Sequence, residues 1–147
     1  MEAKILPLFD FPRMTRIAVA RNWGLASAAQ QAVLVLEFRT LLVRTYSSAL
    51  SDYRGQEIEY RPLLAAAGDS EATVRSVLRR PSAPALAVDY EMEDGLSGWK
   101  VFDVKIAGIS LVLNYRESFA ATVRARGIDG LIEALSEKNR QNAGQPT

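Results

Sequence analysis

Hydrophobic positions recur along this chain with two different periods, and the places where the period changes divide it into elements. From Ser27 to Tyr53, Leu34, Phe38, Leu41, Leu42, Thr45, Tyr46, Ala49 and Tyr53 fall at steps of three and four. Glu37, Thr40, Arg44, Ser47, Ser48 and Ser51 keep the same step on the other side, so the stretch is expected to be one long amphipathic helix. Ser27 with Gln30 makes a capping-box pattern at its start, and Gly55 marks its end. Ahead of it, Lys4 to Asn22 is expected to be helical in two pieces, because Pro7 and Pro12 are tolerable only near a helix start or at a break.

After Gly55 the period falls to two. Glu57 to Leu63 and Thr73 to Arg80 are expected strands, with Val74, Ser76 and Leu78 on one side of the second. Leu86, Val88, Tyr90 and Met92 then alternate with Ala87, Asp89, Glu91 and Glu93, the pattern of a strand with one wet face. Asp94 to Gly98 (DGLSG) is turn chemistry leading into Trp99 to Ile106, where Phe102, Val104 and Ile106 are expected to share a face. Helical spacing returns after Gly108. Ser110 is a candidate N-cap, Gly127 a stop, and Asp129 the cap of a last short helix through Leu131, Ile132 and Leu135. The expectation is an α+β domain over residues 1–138, with a polar, disordered tail over 139–147. About four antiparallel strands would form a curved sheet covered by the long helix and flanked by N- and C-terminal helices, a cone that can keep an apolar cavity.

Composition narrows the chemistry. The chain has 147 residues, 48% of them hydrophobic and 24% charged, with a net charge of +1, which fits one globular core and shows no footprint for nucleic acid. It has neither cysteine nor histidine, which excludes thiolate nucleophiles, disulfides, Cys/His zinc sites and imidazole-based triads. Met1 to Phe9 is too short an apolar run for a secretory signal, and no stretch approaches the roughly 20 apolar residues of a membrane span. The acids Asp89, Glu91, Glu93 and Asp94 read as a solvated strand face, and Asp103 as a satisfied structural carboxylate. Arg13, Arg16 and Arg21 flank the apolar N-terminal segment, where one or two can meet an anionic headgroup. Periodicity alone leaves the apolar stripes as a filled core or a ligand cavity.

Four blocks, ILPLFDFPRMTRIAVARNW, EFRTLLVRTYSSAL, GWKVFDVKIAGISLVLNYRESF and RGIDGLIEAL, resemble in order and spacing the MlaC or toluene-tolerance family of periplasmic phospholipid carriers, auxiliary components of an ABC transporter. The resemblance runs from about Ile5 to Leu135. Family members carry a signal peptide and further helical residues ahead of the position matching Lys4, and a glycine is common where Ala20 stands. The resemblance implies a non-enzymatic carrier in the periplasm that maintains outer-membrane lipid asymmetry. Such a carrier shuttles phospholipid between an outer-membrane lipoprotein complex and an inner-membrane complex of an MCE-domain protein with its ABC transporter. No metal, cofactor or catalytic residue is implied. The period of each element, and not the resemblance, selects Phe9, Phe11, Met14, Ile17, Phe38, Leu42, Val88, Tyr90, Phe102, Val104, Ile106 and Leu113 as expected acyl-chain lining. The rivals are an enzyme on a ketosteroid-isomerase-like cone, using Asp103 with Tyr90, and an interaction module with a filled core.

Overall fold

A computed structural model describes residues 8–51, 57–60, 71–80, 83–95, 98–110 and 111–143. Its elements in chain order are helix α1 (Phe11–Val19), a 3-10 segment (Ala20–Leu25), helix α2 (Ala28–Ser51), strands β1 (Glu57–Tyr60), β2 (Glu71–Arg80), β3 (Ala83–Gly95), β4 (Gly98–Ile106) and β5 (Ile109–Ser110), and helix α3 (Leu111–Ala143). The strands form one antiparallel sheet in the order β1-β2-β3-β4-β5, and the chain is α+β as expected. The expected positions 61–63, the Gly55 stop and the side chains of Tyr46, Ala49 and Tyr53 lie outside the described residues. Two compact units result, one from Met1–Asp10 and Asp52–Val112, the other from Phe11–Ser51 and Leu113–Thr147.

In the sheet unit, consecutive strands pair as an antiparallel meander. Ser76 faces Val88 and Val74 faces Tyr90 across β2 and β3, which places the apolar positions of both strands on one face. The β4–β5 connection is a two-residue turn, Ala107–Gly108, with Ile106 opposite Ile109. Both turn residues have positive φ (53° and 83°), the requirement of a type I′ hairpin. Alanine is not a turn signal at such a position, and β5 escapes the sequence pattern for that reason. Farther along the edge of β4 that carries β5, Phe9 forms a parallel bridge to Val101, and the Asp10 N–H donates to the Val101 carbonyl at 2.8 Å.

In the helical unit, α2 begins as its sequence requires. The Ser27 N–H donates to Gln30 Oε1 at 2.8 Å and the Gln30 N–H donates to Ser27 Oγ at 3.1 Å, a reciprocal capping box. Leu34, Phe38, Leu41 and Leu42 are buried on one side of the helix, whereas Thr45, expected on the same stripe, is exposed. Pro12 sits in the first turn of α1, where a missing N–H costs nothing. Buried Thr15 returns its hydroxyl to the Phe11 carbonyl at 2.7 Å. Helix α3 breaks at Gly127 (φ 73°, ψ −175°) and resumes beyond it, as the glycine predicts.

Two further features depart from the pattern. Ala20, where α1 gives way to the 3-10 segment, has φ 59°, a left-handed backbone that costs an L-residue about 1–2 kcal/mol. Ala20→Gly is therefore expected to raise stability by about 0.5–1 kcal/mol after the extra freedom glycine gives the unfolded chain. A urea midpoint unchanged or lowered by this substitution would contradict it. The second departure is at the C-terminus, where the disordered tail expected from Asn139 is instead helix through Ala143. Asn139 is buried, and its amide donates to both the carbonyl and the carboxylate of Glu37 at 2.9 Å. Arg44 donates to the Asn139 carbonyl at 2.7 Å, so partners far away in sequence hold a segment whose local composition reads as frayed.

Candidate functional site

The sheet unit concentrates its apolar side chains on one face. Val88, Val101 and Val104 are buried there, with Phe9, Leu86, Tyr90, Met92, Ile106 and Leu111 packed against them. Five of the expected lining residues, Phe9, Val88, Tyr90, Val104 and Ile106, are thus brought together. Phe102 is not. The β3–β4 register advances from Glu91↔Asp103 to Met92↔Val101, so β4 carries one more residue than β3 at this point, and Phe102 is the bulged one. The bulge resets the alternation and gives the core position to Val101, which correct period-two counting from Ile106 cannot find. Phe102 is half-buried.

The polar face of the sheet is a hydrogen-bonded surface. Glu91 accepts from the Thr73 hydroxyl at 2.9 Å and meets the Lys105 ammonium at 3.6 Å. No cluster of His, Cys, Asp or Glu able to hold a metal ion occurs among the described residues. Asp103 is 7% exposed and fully engaged. Its Oδ1 accepts from the backbone N–H of Val104 at 2.8 Å and of Val112 at 3.2 Å, while its Oδ2 accepts from the Ser110 hydroxyl. Val112 lies in the first turn of α3, so Asp103 supplies the carboxylate that the helix N-terminus needs. Ser110, the expected cap, stands immediately before the helix, and its hydroxyl donates to Asp103. Register also separates Asp103 from Tyr90. Asp103 pairs with Glu91 and Tyr90 with Val104, and consecutive strand residues point to opposite faces. The pair invoked for an isomerase-like site does not converge.

The helical unit holds the other expected lining residues. Phe38 is fully buried, with its ring edge-on to Tyr115 (5.4 Å) and Phe119 (5.3 Å), and these two rings lie 5.5 Å apart. Such a triad adds geometric preference to its area burial. Phe11, Met14 and Leu42 are buried as well, and the Arg39 guanidinium lies 5.5 Å from the centre of the Phe11 ring. Ile17 is half-buried, and its carbonyl, in the last turn of α1, accepts from Arg116 Nε and an Nη. A cation at that helix end satisfies an orphan carbonyl and complements the helix dipole. Leu113 stands 49% exposed. The expected lining set lacks Val101, which the bulge hides from periodicity, and Tyr115 and Phe119, which periodicity does place on one helical stripe with Val112 and Val123.

Among the described residues these faces offer apolar area, aliphatic side chains on the sheet and an aromatic and aliphatic stripe on the helices, while the carboxylates of Asp103 and Glu91 are engaged by structural donors. Within the described residues no helix is long and apolar enough to cross a membrane. A phospholipid-binding protein from Ralstonia solanacearum, solved in complex with a phospholipid, superposes with a TM-score of 0.89 at 40% identity, over 97% of this chain and 79% of its own. The intermembrane phospholipid transport system binding protein MlaC of Haemophilus influenzae is 26% identical over 123 residues, 82% of this chain. The chain spans 56% of the length of that relative. With residues 1–137 matching the MlaC protein family, nearly the entire length that builds these two apolar faces, the chain belongs to that family.

Proposed function

We propose that this chain is a phospholipid carrier of the periplasm that takes up acyl chains on its apolar surfaces and performs no covalent chemistry. It passes lipid between an outer-membrane lipoprotein complex and an inner-membrane complex of an MCE-domain protein with its ABC transporter. The observation that carries the reading is the phospholipid held by the structure that is 40% identical over 97% of this chain. Physical chemistry agrees. Burying a methylene contributes about 0.8 kcal/mol, so two chains of about sixteen carbons represent on the order of 25 kcal/mol of transfer free energy. Only a dry apolar surface of matching area can hold them. Such a surface offers the chains nearly what a bilayer offers, so loading and unloading both proceed without a deep trap.

Within each unit the acyl-contacting residues are proposed from the faces described. In the sheet unit they are Phe9, Tyr90 and Ile106 around Val88 and Val104; in the helical unit, Ile17 beside Phe11, Met14, Phe38 and Leu42. Leu113 and Phe102 complete the set at exposed and half-buried positions. Half-buried residues make the cleaner tests, because a change at fully buried Phe38 mixes ligand loss with unfolding. Ile106→Asp and Ile17→Asp are each expected to lower phospholipid recovery about ten-fold or more, the cost of placing a carboxylate against acyl chains. Glu91→Ala, on the polar face, is expected to leave it unchanged. Mass spectrometry of an organic extract of protein purified without added lipid decides it. Absence of two-chain phospholipid from the wild-type extract, or equal recovery from all three variants, would sink the proposal.

A further inference from the structure

The apolar face of the sheet unit continues past its core cluster. On β3 and β4 the residues of this face pair in order, Val88 with Ile106, Tyr90 with Val104, Met92 with Val101, and then Asp94 with Trp99. From Met92 and Val101 onward the register is unbroken, so Asp94 and Trp99, each two residues farther out, leave the sheet on the same side. Strand β2 begins at Glu71, opposite Glu93, and the Asp94–Trp99 rung lies beyond that residue. There the face meets water. Asp94 is exposed and Trp99 is 38% exposed, whereas Val101, one rung inward, is 4%.

The two ends of the face differ in chemistry. At the β4–β5 turn, Ile106 pairs with Ile109, which is 61% exposed, and this rung offers a lipid only carbon. The opposite end presents an indole, with an apolar ring and an N–H donor, facing a carboxylate. An indole is suited to the level where hydrocarbon gives way to headgroups, because its ring is apolar and its N–H needs a polar partner. The Asp94 charge complements the ammonium of a zwitterionic headgroup. Glu71, Glu93 and Lys100, the neighbouring charges, fall by register on the other face of the sheet. Length agrees as well. At about 3.3 Å per residue the face runs about 20 Å from Trp99 to Ile106, enough for an acyl chain that fills the roughly 15 Å depth of one bilayer leaflet.

We propose that Trp99 marks the water boundary of the bound phospholipid, its ring lying against the glycerol esters and first methylenes. The headgroup then stands outside, beside Asp94 at the Gly95–Gly98 end of the hairpin, and the tails run toward Ile106. This inference rests on the reading of the chain as a phospholipid carrier and adds the direction in which the lipid lies.

Quenching by brominated lipid tests it. The chain has two tryptophans, and Trp23→Phe leaves Trp99 as the sole indole. That variant, loaded from vesicles of phosphatidylcholine brominated near the glycerol, is expected to lose about half of its emission. With bromines near the methyl end, about 15 Å farther along the chain, it is expected to lose almost none. If Trp23→Phe does not fold, the difference in emission between wild type and Trp99→Phe supplies the same comparison. Mass spectrometry of the extracted protein verifies that both lipids were taken up. Equal quenching by the two lipids, stronger quenching from the methyl end, or none by either while lipid is recovered would overturn the proposal and leave the carrier reading standing. Recovery of no lipid at all would remove the carrier reading, and this inference with it.

Discussion

Asp103→Ala is expected to cost about 3–5 kcal/mol of stability, the largest single effect of any polar residue in the sheet unit. Three donors converge on this carboxylate: the N–H groups of Val104 and Val112 and the Ser110 hydroxyl. The site is 7% exposed, so water cannot readily replace the lost acceptor, and each orphaned buried donor costs about 1–3 kcal/mol. The charge also sits at the first turn of α3, where a carboxylate adds further stabilisation against the helix dipole. Asp103→Asn keeps one oxygen but turns an NH2 toward a donor, and should lose about half as much. Ser110→Ala removes one donor and leaves the other two bonds intact, and should cost about 1 kcal/mol. Urea denaturation of the three variants measures the order. If Asp103→Ala unfolds within about 1 kcal/mol of wild type, the carboxylate is not the junction between β4 and α3 that its contacts describe.

Gly127→Ala and Gly130→Ala should each lower stability by about 2–3 kcal/mol, for two different reasons. Gly127 has φ 73° with ψ −175°, a region essentially closed to any residue with a Cβ, and the chain must pass through it to turn from the first part of α3 into the second. Gly130 has an ordinary backbone and lacks space instead. A Cβ built there lies 2.1 Å from Arg126 Cβ, and because that atom is fixed to the backbone the helix itself must move. The two effects share Arg126 and the same turn, so the double variant should fall short of the sum. Gly24→Ala is the control: its Cβ would meet nothing within 4 Å. For a chain of this length, about 3 kcal/mol corresponds to roughly 8–10 °C in Tm, well resolved by thermal denaturation. A Gly127→Ala protein as stable as the Gly24→Ala protein would show that the break in α3 does not depend on glycine. The same turn carries Asp129, whose Oδ1 accepts from the Gln30 side chain at 2.8 Å, so loss of the turn should also loosen the start of α2.

How the chain reads from sequence depends on which interactions decide each position. The capping box of α2 is written in residues three apart, so Ser27 and Gln30 announce it without any knowledge of the fold. Strand β3 is equally legible, because Leu86, Val88, Tyr90 and Met92 alternate with polar neighbours and their shared face follows from the pleat. The break at Gly127 belongs with these: glycine alone tolerates the backbone that the break uses.

Other positions depend on partners that no local pattern names. Phe102 and Val101 exchange roles because of a bulge between two strands, and a bulge belongs to the pairing and not to either strand's own alternation. Asn139 looks like the start of a polar tail. It becomes a buried residue through bonds to Glu37 and Arg44, which lie 102 and 95 positions away, and hydrogen bonds of that reach leave no periodic trace. The same holds for Asp103, whose apolar neighbours hint at burial while only the folded chain brings Ser110 and Val112 to its oxygens. Taken by itself, the sequence determined the helices, the antiparallel strands, the capping box, the glycine break and the family, since all are carried by residues within a few positions of one another or by their order along the chain. Tertiary structure alone decided which strand residue bulges, which carboxylate meets the start of α3 and what anchors its far end, because each follows from the meeting of segments that are distant in sequence.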